Sequence, residues 1–555
     1  MPDFRNEFTY RRYLDEGREE EFDRIFDEAV ARVRSEVLRK RFPMVIGGKE
    51  VFAAEELVEN SPIDGSLIGR FQKGTREHAR QAVSAALAAF GEWSRTDYKE
   101  RVKVMLSAAE LFRKRKFDIA AALSIENGKT RHESVGEVDE AIDFLCYYSG
   151  EMLRNRGYVR KAALAGTSRD VGAGFQGAPG KEERITIAMK PYGVFGVIAP
   201  FNFPISISTG MSAGALVTGN TVVFKPSSTD NMTMLTGFKI WEVFRDAGLP
   251  DGVFNYVTGP GSEVGDELAL DRDVSGIAFT GSRATGLEMI RKSYVAGLQK
   301  VFVVEMGGKN PAIVSRYADI SDAVDGIATS AFGYGGQKCS ACSRVYVHES
   351  VFGEFLNALT EKLRSMKIGD PLRKDVYIGP LIGAKALERY RAVVDEAKRT
   401  GKVAYGGNVV DAGLNGAYVE PAIIEITQDN RLMHEELFVP VVALNAFRKF
   451  DDALEKANDV EFGLTAGLYS RNRKEIREFM EGIRAGTVYV NRKAGATTGA
   501  IVGAHTFVGW KGSGLTGKGT GSRCYLQQFL REQSIAEAKQ AAAKEGEEAG
   551  SPAVG

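Results

Sequence analysis

Val194-Phe-Gly-Val-Ile-Ala199, Thr221-Val-Val-Phe224, Val253-Phe-Asn-Tyr-Val-Thr258 and Gly276-Ile-Ala-Phe279 are four short apolar runs, and most segments between them are long enough to carry a crossover helix. Runs of this length, rich in Val, Ile and Phe, read as buried strands. Repeated strand–helix units imply a parallel sheet with right-handed connections, which binds ligands beyond the carboxyl ends of its strands. A second series, including 301–305, 311–314 and 344–347, continues to about residue 490. The chain is therefore expected to be α/β.

Working outward, residues 7–40 are charged, with Phe22, Ile25, Phe26, Ala29, Val30 and Val33 at helical spacing, so an amphipathic N-terminal helix is predicted. Residues 41–58 alternate in strand fashion around Gly47-Gly48, and helices are expected at 75–93, 98–115, 116–127 and 132–153. A Gly-, Ala- and Ser-rich stretch, 162–183, then leads into the alternating strand Arg184-Ile-Thr-Ile-Ala-Met-Lys190, which no helix follows. That pattern predicts an arm projecting from the main fold. The tail 536–555 is mostly Ala, Glu, Lys and Gly with no core face and is expected to be disordered. There is no internal repeat.

With 555 residues, two or three domains are expected. Lys plus Arg and Asp plus Glu both count 73, so no net charge draws the chain to nucleic acid or a membrane surface. No stretch approaches the ~18 consecutive apolar residues of a spanning helix, and residues 1–20 are dense in charge, so a cytoplasmic protein is expected. Four cysteines, Cys146, Cys339, Cys342 and Cys524, are too few for a disulfide scaffold. Cys339 and Cys342 make one C-x-x-C, but no second pair or nearby histidine completes a ligand set, so no metal is expected.

Several glycine motifs compete. Gly512-Ser-Gly-Leu-Thr-Gly517 fits G-x-G-x-x-G, yet no apolar strand precedes it and no clear helix follows, so it is set aside as a phosphate loop. Gly259-Pro-Gly261 with Gly265, and Phe279-Thr280-Gly281-Ser282 with Gly286, stand at strand-to-helix junctions where backbone N–H groups can receive a phosphate. Either alone is equally a structural turn. Lys225-Pro-Ser-Ser228 ends a strand, where a lysine can hold ribose hydroxyls or simply sit in solvent.

Gly335-Gly-Gln-Lys-Cys339-Ser-Ala-Cys-Ser343 is the sharper signal: a thiol after a glycine-rich turn that lets substrate approach the backbone. A thiol beside a helix N-terminus or a cofactor cation has a lowered pKa and is nucleophilic near neutrality, whereas an isolated Cys is usually a small buried hydrophobe. Upstream, Glu305-Met-Gly-Gly-Lys-Asn310 follows an apolar strand, and a carboxylate there can activate water. None of the five histidines shares a motif with Cys339 or a serine, which weakens a hydrolase reading.

Together with Pro200-Phe-Asn-Phe-Pro204 and Glu435-Glu-Leu-Phe438, these segments resemble the aldehyde dehydrogenase superfamily, in family order, and the likeness runs from Phe4-Arg-Asn-Glu7 to about residue 533. Glu140-Ala-Ile-Asp-Phe144, Gln337-Lys-Cys-Ser-Ala-Cys-Ser343, Asn491-Arg-Lys493 and Thr498-Gly-Ala-Ile-Val502 are most similar to the subgroup that oxidises glutamate 5-semialdehyde, the 1-pyrroline-5-carboxylate dehydrogenases. The resemblance implies a Rossmann-type NAD(P)-binding domain (1–155 and 191–302), an α/β catalytic domain (303–490), and a small β oligomerisation arm with a C-terminal segment (156–190 and 506–535). It implies a homo-oligomer, a dimer or dimer-based assembly, acting on a small aldehyde.

By the same resemblance Cys339 attacks the aldehyde, Asn202 with the Cys339 backbone N–H holds the oxyanion, and Glu305 activates the water that hydrolyses the thioester. For NAD or NADP it implies Lys225 and Ser228 at the adenosine ribose, Gly261 and Gly265 near the adenine, Ser282 at the pyrophosphate, and Glu436 with Phe438 at the nicotinamide ribose, with Phe201, Thr280 and Gly281 completing the set. Ser228 stands where many NAD-specific members carry a glutamate, so NADP⁺ is expected to be tolerated. Ser340, Gly499, Ala500 and Phe507 are the implied substrate contacts. Three departures touch these regions: Ala494-Gly-Ala-Thr497 is longer than the usual connection, Thr506-Phe-Val508 stands where the family usually reads Pro-Phe-Gly, and Val439 replaces a usual Gly. The alternatives are a dehydrogenase for another small semialdehyde such as succinic semialdehyde, a broad-range aldehyde dehydrogenase, an inactive binding relative, and a thiol hydrolase without nicotinamide.

Overall fold

The structure, a computed structural model, describes residues 4–164, 183–228 and 232–538. Two seven-stranded sheets organise it. In the first, the strands run in the order Val301–Glu305, Val274–Thr280, Val194–Ile198, Thr221–Lys225, Phe254–Tyr256, Met44–Ile46, Lys49–Val51. The first five are mutually parallel, and the last two add antiparallel edges. The chain enters the parallel part at Val194–Ile198, builds one way through Thr221–Lys225 to Phe254–Tyr256, then returns to the other side with Val274–Thr280. That reversal opens a crevice at the carboxyl ends of the strands, the place where a doubly wound sheet receives its ligand.

In the second sheet the order is Lys402–Tyr405, Ala422–Glu425, Val441–Phe447, Cys342–His348, Asn310–Val314, Thr465–Tyr469, Thr487–Val490, parallel except for the first strand. Asn310–Val314 is buried throughout, as is Thr465–Tyr469, the signature of strands covered on both faces. Only Met306 to Lys309 separate the last strand of the first sheet from the first strand of the second. The carboxyl ends of one sheet therefore face the amino ends of the other across a shared cleft.

The helices expected at 75–93, 98–115, 116–127 and 132–153 are found as Arg76–Trp93, Tyr98–Lys114, Lys116–Asn127 and Arg131–Arg154. The N-terminal stretch is not one helix. It divides into Thr9–Asp15, Glu19–Arg32 and a wide turn Val33–Val37, because Gly17 takes φ +66° and breaks the ladder. The apolar stripe is nonetheless the right one: Phe22, Phe26, Ala29, Val30 and Val33 are buried.

The arm is an antiparallel three-stranded sheet of Val159–Leu164, Glu183–Pro191 and Leu530–Ala538. Its last strand corrects the expected disorder from 536 onward, since Ala536, Glu537 and Ala538 pair with Ile185, Arg184 and Glu183. Cross-strand hydrogen bonds order residues that have no core face of their own. Most of the Gly-rich stretch 162–183 and the tail beyond 538 lie outside the described residues. Among the described residues no helix is long and apolar enough to cross a membrane.

Candidate active site

A single cleft of about 1280 Å³ lies where the two sheets meet, and every residue singled out from the sequence as a site residue lines it. The volume exceeds the ~300–1000 Å³ of a pocket for one drug-sized ligand, leaving room for two.

Glu305 is the last residue of its strand, paired in register with Thr280. Its carbonyl accepts the Gly281 N–H at 3.1 Å, and Met306 N donates to Ser513 O at 2.9 Å. The segment from Gly512 thus forms a strap across the strand end. One oxygen of the Glu305 carboxylate, Oε2, is buried without a hydrogen-bond partner, and burial pushes the acid up to about 8.

Cys339 reaches the cleft from the opposite sheet. Before it, Tyr334, Gly335 and Gly336 take φ of 52°, 59° and 68°, three successive left-handed residues. Glycine tolerates this readily; Tyr334 is held there by its hydroxyl, which donates to Asn127 O at 3.1 Å. Asn310 then fixes the turn: its Nδ2 donates to Cys339 O at 2.8 Å and Ala341 O at 2.9 Å, while its Oδ1 accepts Thr465 N–H at 3.0 Å. Asn202 braces the other side through Nδ2 to Gln337 O at 3.0 Å, with a second N–H still to give.

The thiol departs from one sequence expectation. Cys339 opens no helix; it sits in the turn leading into the strand Cys342–His348. Burial first, then the Glu436 and Glu305 carboxylates, push it up to about 12, so this form holds a thiol and no thiolate. Glu436 is itself pushed up to about 7 by burial, although Gly308 N donates to it at 2.9 Å.

At the carboxyl ends of the first sheet, Lys225 is 5% exposed, and among the described residues its ammonium has only Pro226 O, at 3.2 Å, as partner. Burial lowers it to about 8. A Cβ at Gly265 would lie 4.0 Å from its Cε, within the space before it. The Ser228 hydroxyl donates to Pro226 O at 3.0 Å. Ser282 caps the helix Arg283–Val295 by accepting Thr285 N–H at 3.3 Å. Gly261–Gly265 forms a wide turn running into the helix Asp266–Leu270. Phe438, at φ 59°, places its ring 5.8 Å from that of Phe201. Buried ammonium, bare glycine backbone and helix start, set along one cleft, fit a polyhydroxylated dinucleotide phosphate.

The remaining end of the cleft holds Ser340, Gly499, Ala500 and Phe507. Thr497 Oγ1 donates to Ser340 O at 2.7 Å, tying this loop to the residue after the thiol. Arg492 takes the carbonyls of Thr498 and Gly499 at 2.5 and 2.6 Å. Gly499, at φ +78°, turns the chain there. Among the described residues the N–H groups of Gly499 and Ala500 have no partner. Asn310, Thr497 and the clamping role of Arg492 were not foreseen; the partners named here lie 6 to 157 residues away in sequence, and no motif marks them. Val439 is buried, and its carbonyl lies against Gly336, where a Cβ would come within 2.7 Å.

The aldehyde dehydrogenase family model matches residues 52–535. The 1-pyrroline-5-carboxylate dehydrogenase 2 of Bacillus subtilis (strain 168) is 38% identical over 518 residues, covering 92% of this chain and 96% of its own. Of solved structures, that of 1-pyrroline-5-carboxylate dehydrogenase from Thermus with bound NAD is similar over 97% of this chain and 99% of its own, with a TM-score of 0.87 and 33% identity. Lactaldehyde dehydrogenase from Escherichia coli is similar over 90% and 100%, with a TM-score of 0.81 and 31% identity.

Proposed function

The chain belongs to the aldehyde dehydrogenase family, and on that premise we propose that it oxidises glutamate 5-semialdehyde, the open form of 1-pyrroline-5-carboxylate, to glutamate. One observation carries the substrate class. Arg492 draws two successive carbonyls to itself and leaves the N–H groups of Gly499 and Ala500 to the cleft, a pair of donors suited to a carboxylate at the far end of a short aldehyde. The near full-length likeness to 1-pyrroline-5-carboxylate dehydrogenases favours this substrate over succinic semialdehyde.

In this mechanism Cys339 Sγ bonds to the aldehyde carbon as the thiol proton passes to water. The carbonyl oxygen gains charge and is met by Asn202 Nδ2 and the Cys339 N–H, donors whose removal typically costs roughly 10²–10³ in rate. The nicotinamide dinucleotide supplies, when bound, a pyridinium cation that favours the thiolate and an acceptor for the hydride leaving the thiohemiacetal carbon. Cys339 is left as a thioester. Glu305 then takes a proton from water, the hydroxyl adds to the acyl carbon, and the C–S bond breaks to release the acid and restore the thiol.

Lys225 and Ser228 would hold the adenosine ribose, Gly261 and Gly265 flank the adenine, Thr280, Gly281 and Ser282 take the pyrophosphate, and Glu436, Phe438 and Phe201 frame the nicotinamide ribose and ring. With a serine at 228 in place of a carboxylate, a 2′-phosphate meets no like charge there, so NADP⁺ is used as well as NAD⁺. The test is NADH and NADPH formation with glutamate, succinic and simple aliphatic semialdehydes or aldehydes, beside Cys339→Ala. We expect glutamate 5-semialdehyde to give the highest kcat/KM, NADP⁺ turnover above about a hundredth of that with NAD⁺, and no turnover by the variant. Turnover surviving in Cys339→Ala removes the mechanism; a higher kcat/KM for succinic semialdehyde removes the substrate.

A further inference from the structure

Residues before the first helix are not a loose lead-in; they pack onto the cleft. Glu7 and Phe8 line it. Glu7 N donates to Asp143 Oδ1 at 2.8 Å, and the Asn6 side-chain nitrogen donates to Asp143 Oδ2 at 2.9 Å and, with its second hydrogen, to Val502 O at 3.0 Å. Phe4 packs edge-on against Tyr147 with ring centroids 5.3 Å apart. Both rings press on Gly503, where an added Cβ would come within 2.9 Å of Tyr147 and 3.0 Å of Phe4. The segment is anchored further along: Thr9 N and Oγ1 both donate to Asp139 at 2.8 Å, and Lys116 and Arg113 pair with Glu7 at 3.1 and 2.8 Å.

Val502 closes the loop that begins with Gly499 and Ala500. On its near side that loop is pinned by Arg492 and Thr497, and on its far side Gly503 N donates to Gly521 O at 3.0 Å. Between them, Ile501 is tied within the loop to Ala504 and His505, and the Asn6 amide reaches the Val502 carbonyl from the N-terminal segment. Asp143, on the helix Arg131–Arg154, orients that amide by taking one of its hydrogens. Helix, N-terminal segment and loop thus meet at the Asn6 amide, beside the packing of Phe4 on Tyr147 and Gly503.

We propose that Asn6 is a positioning residue for substrate recognition: by holding Val502 O against the helix Arg131–Arg154 it fixes the height of the Gly499–Ala500 donors over the cleft. Asn6 touches no reacting atom. The inference rests on Gly499 and Ala500 receiving the substrate carboxylate, as proposed above. Without the amide the loop keeps its hinges but loses the tie of Val502 O to the N-terminal segment, so donors meant for a charged end shift while the thiol turn, held by Asn310 and Asn202, stays in place.

The experiment compares kcat/KM for glutamate 5-semialdehyde and for pentanal, an aldehyde of similar length with no carboxylate, in the full-length protein and in Asn6→Ala. We expect the ratio of the two to fall about five- to tenfold, the scale of one lost hydrogen bond, through a higher KM for the semialdehyde, with kcat and the pentanal constants unchanged. Asn6→Asp, near-isosteric but unable to donate to Val502, serves as a second variant should the first fail to fold, and is expected to shift the ratio in the same direction. A ratio that does not move, or equal losses on both substrates with a lower melting temperature, overturns the inference. If the unaltered protein itself shows no preference for the semialdehyde over pentanal, it is the substrate assignment that fails.

Discussion

Two acids and a thiol in the cleft are poised by burial. Glu305 has no cation to stabilise its charge, so its pKa rises from the ordinary carboxylate range to about 8 and at neutral pH it is mostly protonated. Only the ionised form takes a proton from water. Its share grows as pH rises through about 8, so hydrolysis of the thioester speeds up over that interval and falls away below it. We expect kcat to rise with an apparent pKa near 8 wherever hydrolysis limits turnover, and the dependence to vanish in Glu305→Gln. That variant should release roughly one equivalent of reduced nucleotide per subunit and then stall, with steady turnover lower by roughly 10²–10⁴. Rapid-mixing absorbance at 340 nm reads both phases; steady turnover at the unaltered rate excludes Glu305 as the base. The thiol shows the limit of reading a residue from its neighbours in sequence. Glycines around Cys339 announced an accessible sulfur, but the two carboxylates that push it up to about 12 come from positions 305 and 436 and become its neighbours only in the fold.

Between residue and molecule, the element that matters most is the short link from Met306 to Lys309, which joins the sheets and carries Glu305 at one end. Gly308 lies so close to the nucleophile turn that a Cβ there would sit 2.4 Å from Cys339 O, a backbone atom with no room to yield. Its N–H also donates to Glu436. Gly308→Ala should therefore move the link and the thiol apart. We expect kcat to fall at least roughly a hundredfold, the cost of a displacement of about 1 Å, while nucleotide binding, read by quenching of protein fluorescence, changes little; a variant with unaltered kcat shows that the two strands tolerate separation. The strands flanking this link were legible because their apolar runs are short, bounded and dense in Val and Ile, and the helices because their stripes repeat over several turns. Gly17, which divides the N-terminal helix, was passed over because one glycine inside a periodic stretch carries less weight than the stripe around it. The strand reaching Ala538 was missed for the opposite reason: its order comes from hydrogen bonds to Glu183–Pro191, and backbone pairing leaves no trace in an Ala- and Glu-rich composition. Of the cleft, the thiol, the acid and the glycine turns were visible as motifs. That Asn6, Asn310 and Thr497 hold those motifs in place was not legible, because their partners are distant in sequence.

At the scale of the molecule, the cleft is complete within one chain, since thiol, acid, oxyanion donor, nucleotide-facing groups and anchor loop all line it. The arm serves another end. Among the described residues its strand Leu530–Ala538 pairs on one side only, and Ile535 and, across the sheet, Val159 are 43% and 40% exposed. An edge with free backbone groups and uncovered apolar side chains is a pairing surface, and a second copy of the chain is its natural occupant. We therefore propose a homo-oligomer assembled through the arm. Light scattering at micromolar concentration should give at least twice the 60.4 kDa of one chain. Ending the chain after Arg531 removes most of the edge strand yet keeps Phe529 and Leu530 in the core, and should reduce the mass to that of a single chain. Because no described residue of the arm lines the cleft, that monomer should retain kcat within about twofold while unfolding at a lower temperature, as expected when association no longer stabilises the folded state. A full-length protein already monomeric at this concentration contradicts the arm's role, and a truncated monomer without activity places part of the site across the subunit boundary.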